Sequence, residues 1–240
     1  MKVLELAQIM AGPAGGMLRA DLGADVIKVE RLPGGDDTRS YSRPSVKGES
    51  AAFMAMNRNK RGIALNLKVP AARDALKRMA AQADVVTENY RKGALEKLGL
   101  GYESLQEINP ALIYCSVSGY GRTGPYADKG GFDLIAQGMS GLMSITGEPG
   151  GAPVKVGSPV CDINAGILAA LGVVSAYVHR LKSGRGQLVD TSLYEAGIHQ
   201  TFWHSAFYFA TGAAPGPSGS AHLLSAPYQA FAAADGWFNI

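Results

Sequence analysis

The order of apolar segments at the start of the chain constrains the fold more than any other feature. Residues 3–6 read as a short apolar strand. In the segment that follows, Ala14, Leu18 and Leu22 recur at helical spacing, with Met17 beside them. A turn is expected at Gly12-Pro13, Gly23 stops the helix, and residues 26–30 form a second strand. Strand, helix, strand in that order makes a parallel pair, because an antiparallel neighbour would need only a hairpin. The pattern then repeats. Residues 63–67 read as a strand, Leu76, Met79 and Ala83 mark a helix, and residues 85–88 and 113–117 are further strands.

The expected fold class is therefore α/β, a Rossmann-like open parallel sheet with flanking helices. It occupies residues 1–200. Around residues 211–220 the composition shifts to Gly, Ala, Pro and Ser, so residues 201–224 read as a linker. Residues 225–240 read as the start of a second, smaller domain, with 231–240 a strand entering it, and the sequence is expected to be truncated there.

Composition narrows the function classes. With 47% hydrophobic and 18% charged residues, the 240-residue chain is globular rather than disordered. The net charge of +3 comes without a basic stripe interleaved with aromatics, so no nucleic-acid partner is expected. Cys115 and Cys161 lie far apart, without C-x-x-C spacing or a histidine pair nearby, so neither a metal site nor a disulfide is expected. Glu5 and Gln8 interrupt the N-terminal apolar run, and the apolar stretch 165–178 is shorter than a bilayer span and contains Gly166, Gly172 and Ser175. A buried helix in a cytoplasmic protein is expected, with no membrane partner.

Parallel sheets bind ligands at the carboxyl ends of their strands, which here are followed by Gln8 to Pro13, by Glu30-Arg31 and by Glu88-Asn89-Tyr90. Glu30 stands where a dinucleotide-binding fold keeps its ribose carboxylate. The turn, however, reads Ala11-Gly12-Pro13-Ala14-Gly15-Gly16, with a proline where the phosphate loop needs a permissive glycine. Nicotinamide-dependent dehydrogenation is thus a minor alternative. Taken singly, the polar residues have ordinary explanations: Arg31 and Lys68 as solvated cations, Asn89 as a turn residue bonding its own backbone, and Asp162 as the N-cap of the apolar helix. His179, His199, His204 and His222 read as structural.

Several stretches taken in order resemble the class III CoA-transferases of the CaiB/BaiF type, a family that also contains α-methylacyl-CoA racemases. They are Ala11-Gly-Pro, Leu22-Gly-Ala-Asp-Val-Ile-Lys-Val-Glu30, Asn57-Arg-Asn-Lys-Arg61, Glu88-Asn89, Gly93-Ala-Leu-Glu-Lys-Leu-Gly99, Ser118-Gly-Tyr-Gly121, Asp162 and Ser183-Gly-Arg-Gly-Gln187. The resemblance implies Asp162 as nucleophile, held ionised by the amides and dipole of its helix, and coenzyme A as a substrate with no permanently bound cofactor. It places CoA against Ile9, Met10, Ala11, Arg31, Leu65, Lys68, Asn89, Tyr90 and Lys97, the last replacing a relative's arginine and losing its bidentate fork. It also implies acyl-CoA and small carboxylic acids as reaction partners, and an interlocked homodimer for the full-length form. Phe132 stands where a racemase carries histidine, which favours transfer over racemisation. The resemblance also leaves room for a racemase and for a catalytically incomplete CoA-binding fragment.

Overall fold

The computed structural model describes residues 1–240. Its elements are β1 (Lys2–Glu5), α1 (Ala11–Asp21), β2 (Asp25–Glu30), β3 (Ser45–Val46), β4 (Glu49–Ser50), α2 (Ala51–Asn57), β5 (Arg61–Ala64), α3 (Pro70–Ala80), β6 (Val85–Glu88) and α4 (Tyr102–Ile108). They continue with β7 (Ile113–Ser118), α5 (Asp133–Met139), α6 (Leu142–Ile145), α7 (Val160–Ser183), β8 (Leu188–Ser192), α8 (Leu193–Gln200), α9 (Phe202–Thr211), β9 (Ala230–Ala232) and β10 (Trp237–Asn239).

Six strands form one sheet in the order β5-β2-β1-β6-β7-β8, and every neighbouring pair is parallel. Side chains alternate between its faces. Val3, Val26, Val85, Ile113 and Cys115 pack with α1 and α7, while Leu4, Val29, Val86 and Tyr114 pack with α3 and α4. Both faces are covered, which is why these strands read as continuous apolar runs. From β1 the chain winds outward in one direction to β2 and β5, and from β6 in the other to β7 and β8. The reversal lies between β1 and β6, the place where such sheets open a crevice.

Several boundaries differ from the sequence expectation. Gly12 and Pro13 do not turn but lie within the first turn of α1, where a missing N–H costs nothing. The strand expected at 63–67 is Arg61–Ala64, because its pairing with β2 runs out at Glu30↔Ala64. The expected strand at 231–240 is an antiparallel hairpin, with Phe231 opposite Phe238, the Ala233 amide bonded to the Gly236 carbonyl, and its turn at Ala234-Asp235. Part of the stretch 201–224 is helical, as α9. The apolar helix is also longer than 165–178. At 24 residues α7 is long and apolar enough to cross a bilayer, but Cys161, Ala165, Ala169, Val173 and Ala176 are buried in the core against α1 and the sheet.

Glycines set how closely α1 and α7 cross. A Cβ on Gly15 would come within 2.8 Å of the Gly166 carbonyl oxygen, and a Cβ on Gly166 within 2.7 Å of the Ala11 carbonyl oxygen. Only the bare backbones fit. One helical turn before Gly166 is Asp162, so this crossing brings the first turn of α7 to the first turn of α1.

Candidate active site

The crevice at the reversal point holds a cavity of about 310 Å³ whose wall includes Gln8, Ile9, Met10, Ala11, Asn89, Tyr90, Phe132 and Asp162. Five of the residues expected to contact CoA thus meet the expected nucleophile in one place. The loop from β1 to α1 supplies three wall residues, with Ala11 opening the helix beside them, and is held by side chains from elsewhere. The Gln8 amide donates to Asn89 Oδ1 at 2.9 Å, and Asn89 Nδ2 donates back to the Gln8 carbonyl at 2.8 Å. Asn89 therefore bonds the backbone across the crevice, not its own as a turn residue would. Glu88, buried before it, accepts the Tyr90 amide at 2.7 Å and pairs with Arg122. Burial pushes the Glu88 carboxyl up, and the Arg122 guanidinium partly offsets it.

Asp162 is the third residue of α7, in its first turn, and not its N-cap; Pro159 occupies that position. The cap comes from another helix. Asp133 Oδ1, at the start of α5, accepts the Cys161 amide at 2.8 Å and the Asp162 amide at 3.3 Å, while its Oδ2 accepts from Gln137 at 2.6 Å. The amides expected to hold Asp162 ionised are spent on a second carboxylate. The Asp162 carboxyl is raised to about 6, by burial first and by the Asp133 charge second. It is still about 90% ionised at pH 7 and more basic than an ordinary aspartate.

A second cavity, of about 460 Å³, shares Tyr90 with the first and is lined by Arg31, Pro33, Leu65, Asn66, Lys68 and Leu98 among others. Arg31, Leu65 and Lys68 meet here, at the ends of β2 and β5. Arg31 is paired with Asp37 on the surface, and Lys68 makes no salt bridge. Lys97 joins neither group. It lies exposed in a one-turn 3-10 helix, Glu96–Leu98, and only its neighbour Leu98 reaches the cavity.

This geometry, a carboxylate at a helix start facing a parallel-sheet crevice, coincides with a match over the whole chain. Residues 1–240 match the family described as CoA-transferase family III. The chain belongs to CoA-transferase family III. It is 46% identical to the succinate–glutarate CoA-transferase of Agrobacterium fabrum, over 99% of this chain and 61% of the relative. It is 43% identical to the succinyl-CoA:mesaconate CoA-transferase of Haloarcula marismortui, over 98% of this chain and 61% of the relative. Among solved structures, a CaiB/BaiF family protein from Brucella suis superposes with a TM-score of 0.94 at 45% identity, over 100% of this chain and 64% of that one. The chain thus spans less than two thirds of the length of these relatives.

Within this family III chain, the remaining sequence expectations can be placed. Glu30 is no ribose ligand: both its oxygens are taken by Arg39, at 2.7 and 2.8 Å, and Oε2 also accepts the Asp36 amide. Phe132 stands 70% exposed at the cavity, and no histidine lines it. Cys115 and Cys161 are free and buried, with burial pushing their thiols up to about 11 and about 12. Sequence reasoning missed Asp133 as a partner of Asp162, although it directly follows Phe132. It also missed Arg91, Lys92 and Lys129, exposed cations on the cavity wall, none of which forms a salt bridge. Isolated cations carry no sequence signal until the fold gathers them.

Proposed function

We propose that the protein carrying this chain is an acyl-CoA:carboxylate CoA-transferase in which Asp162 is the nucleophile. The observation that carries this is the meeting of a basic, ionised Asp162 with Ile9, Met10, Ala11 and Tyr90 in one cavity, with Tyr90 also lining a second cavity that holds Arg31, Leu65 and Lys68. CoA would lie across both, its thioester at Asp162 and its phosphates toward Arg31 and Lys68. Asn89 acts by fixing the loop. Lys97 adds a remote charge at most.

The Asp162 carboxylate attacks the thioester carbonyl, and collapse of the tetrahedral adduct expels CoA thiolate and leaves a mixed anhydride. The thiolate then attacks the aspartyl carbonyl and expels the donor acid, giving an aspartyl-CoA thioester. The acceptor carboxylate attacks that carbonyl in turn, forming a new mixed anhydride and thiolate. Attack of the thiolate on the acceptor acyl carbon releases acceptor-CoA and regenerates Asp162. A carboxyl at about 6 suits this cycle, because it is ionised at neutral pH yet less stabilised than an ordinary aspartate. Racemisation would need a second proton-transfer group, for which Phe132 offers nothing.

The acids are proposed to be small dicarboxylates. The two relatives are named for succinate, glutarate and mesaconate, and Arg91, Lys92 and Lys129 supply unpaired positive charge around Asp162 for a second carboxylate. Two further expectations stay with this proposal. A second, smaller unit starting near residue 225 is supported by the β9–β10 hairpin, whose strands pair only with each other. A homodimer is supported by the outer face of α7, where Ile167, Leu171, Val174, Val178 and Leu181 are exposed. The cytoplasmic placement rests on the two reduced, buried cysteines.

The test is to incubate the protein with succinyl-CoA, trap with hydroxylamine or borohydride, and map the modified residue by mass spectrometry. An adduct on Asp162 is expected. Turnover with no adduct there, or α-proton exchange in deuterated water without CoA exchange, would overturn the proposal.

A further inference from the structure

Ile9 is a β-branched residue with φ +68°, in the left-handed region that such side chains avoid, and it lies on the wall of the Asp162 cavity. Backbone strain of this kind persists only where the surroundings over-determine it. Here three consecutive residues are gripped from outside. Lys28 Nζ donates to the Ala7 carbonyl at 2.8 Å, Asn89 brackets Gln8, and the Ile9 amide donates to both oxygens of Asp36 at 3.2 Å.

Asp36 is built for this task and touches nothing in the cavity. It is 2% exposed, and its Oδ1 also accepts the Thr38 amide at 2.9 Å and the Thr38 hydroxyl at 2.8 Å. Its Oδ2 pairs with Lys28 Nζ at 2.8 Å. Lys28 is itself buried and pairs with Glu5 Oε1 at 3.3 Å, the same oxygen that Lys60 Nζ holds at 2.9 Å. One cation therefore anchors both ends of the segment: directly at residue 7, and through Asp36 at residue 9. A fully buried ion pair is a poor source of stability, since desolvation consumes most of its attraction. Its value here lies in fixing a backbone.

We propose that Asp36, backed by Lys28, is a positioning residue for the reaction at Asp162: it locks Ile9 in its left-handed conformation and so aims the start of α1 into the cavity. This rests on the CoA-transfer proposal for the role of Asp162, but the clamp itself can be read without substrate. Without the clamp, Ile9 relaxes to an ordinary extended or right-handed conformation and the Met10–Ala11 segment leaves its place opposite Asp162.

The experiment compares Asp36→Asn, Asp36→Ala, Ile9→Gly and the double variants in the full protein. Asp36→Asn keeps the shape if the alanine variant does not fold. Loss of the clamp is expected to lower kcat by about 10- to 100-fold while the KM for acyl-CoA changes far less. Glycine adopts positive φ freely, so adding Ile9→Gly should recover much of the lost kcat. Amide hydrogen exchange over residues 8–12 should speed up in the Asp36 variants and slow again in the double variants. A folded Asp36 variant with wild-type kcat and exchange overturns the proposal, as does a loss that Ile9→Gly leaves untouched. If the wild-type protein transfers no CoA, the CoA-transfer proposal fails, while the exchange measurement still decides on the clamp.

Discussion

The helices α1 and α7 start at the same cavity, but their first turns are finished in opposite ways. At α7 the Cys161 and Asp162 amides are closed by a carboxylate from another helix, Asp133. At α1 no side chain caps the first turn, Pro13 has no N–H to give, and Ala14 is the first amide to bond within the helix, to the Met10 carbonyl at 2.7 Å. The difference shows how one fold can bring two differently finished helix starts to one cavity. Where the helix donors are spent, the local carboxylate stays basic. Where they are left open, the positive end of a helix lies on the wall of the cavity that also holds Asp162.

The most drastic way to break this contrast is to remove the charge at α7. Asp162→Asn should reduce CoA transfer by roughly 10⁴-fold or more while leaving CoA binding intact, as steady-state kinetics and calorimetry would show. The same variant should be more stable than wild type at neutral pH. The folded-state carboxyl is raised to about 6 from the ordinary 3.8, so its stabilising contribution is complete below about 4 and lost as pH rises through 6. Asparagine escapes that loss. Denaturant unfolding at pH 7.5 should show a gain of roughly 1 to 2 kcal/mol, vanishing below pH 4.

A second break separates the two helix starts in space. Gly166→Ala places a Cβ against the Ala11 carbonyl oxygen and the Ala14 methyl group, at 2.7 and 2.9 Å. It should cost about 1 to 3 kcal/mol in unfolding free energy. Activity should fall further than this loss of folded protein explains.

A milder change sharpens the comparison. Asp133→Asn keeps an oxygen that can accept the α7 amides but removes the charge beside Asp162. Burial, the larger cause of the shift, remains, so the acid limb of the kcat/KM profile should move down from about 6 by about half a pH unit or more. A less basic nucleophile should also slow turnover above pH 7 by about 2- to 5-fold. An unmoved limb would mean that Asp133 acts as a cap alone. The smallest effect is expected at Lys97→Ala, where an exposed cation outside both cavities should alter the KM for acyl-CoA by less than about threefold.

Much of the scaffold is legible in the sequence, because the central strands β1, β2, β6 and β7 are largely apolar and buried, and α1 and α3 carry a helical period. The 85–88 strand agrees to the residue, and the β1–α1–β2 unit differs by one residue at its strand ends and in its turn. Pro13 misleads there, since proline is as much at home in the first turn of a helix as in a loop. The 231–240 segment passes for one strand by its apolar content, whereas the chain reverses at Ala234-Asp235 and divides it into two.

The site divides in the same way. The α/β class follows from local periodicity and the family from an ordered set of motifs, and that resemblance singles out Asp162 as the candidate nucleophile. The character of Asp162 follows from neither, and here the folded arrangement is decisive. Its neighbour Asp133 stands 29 residues away along the chain, as its bond to the Asp162 amide shows, and the Ile9 clamp joins residues 27 apart. Charges separated by such lengths of chain interact only once the α1–α7 crossing and the sheet order have brought them together in a low-dielectric crevice. There burial and a second carboxylate turn an apparent helix cap into a basic one.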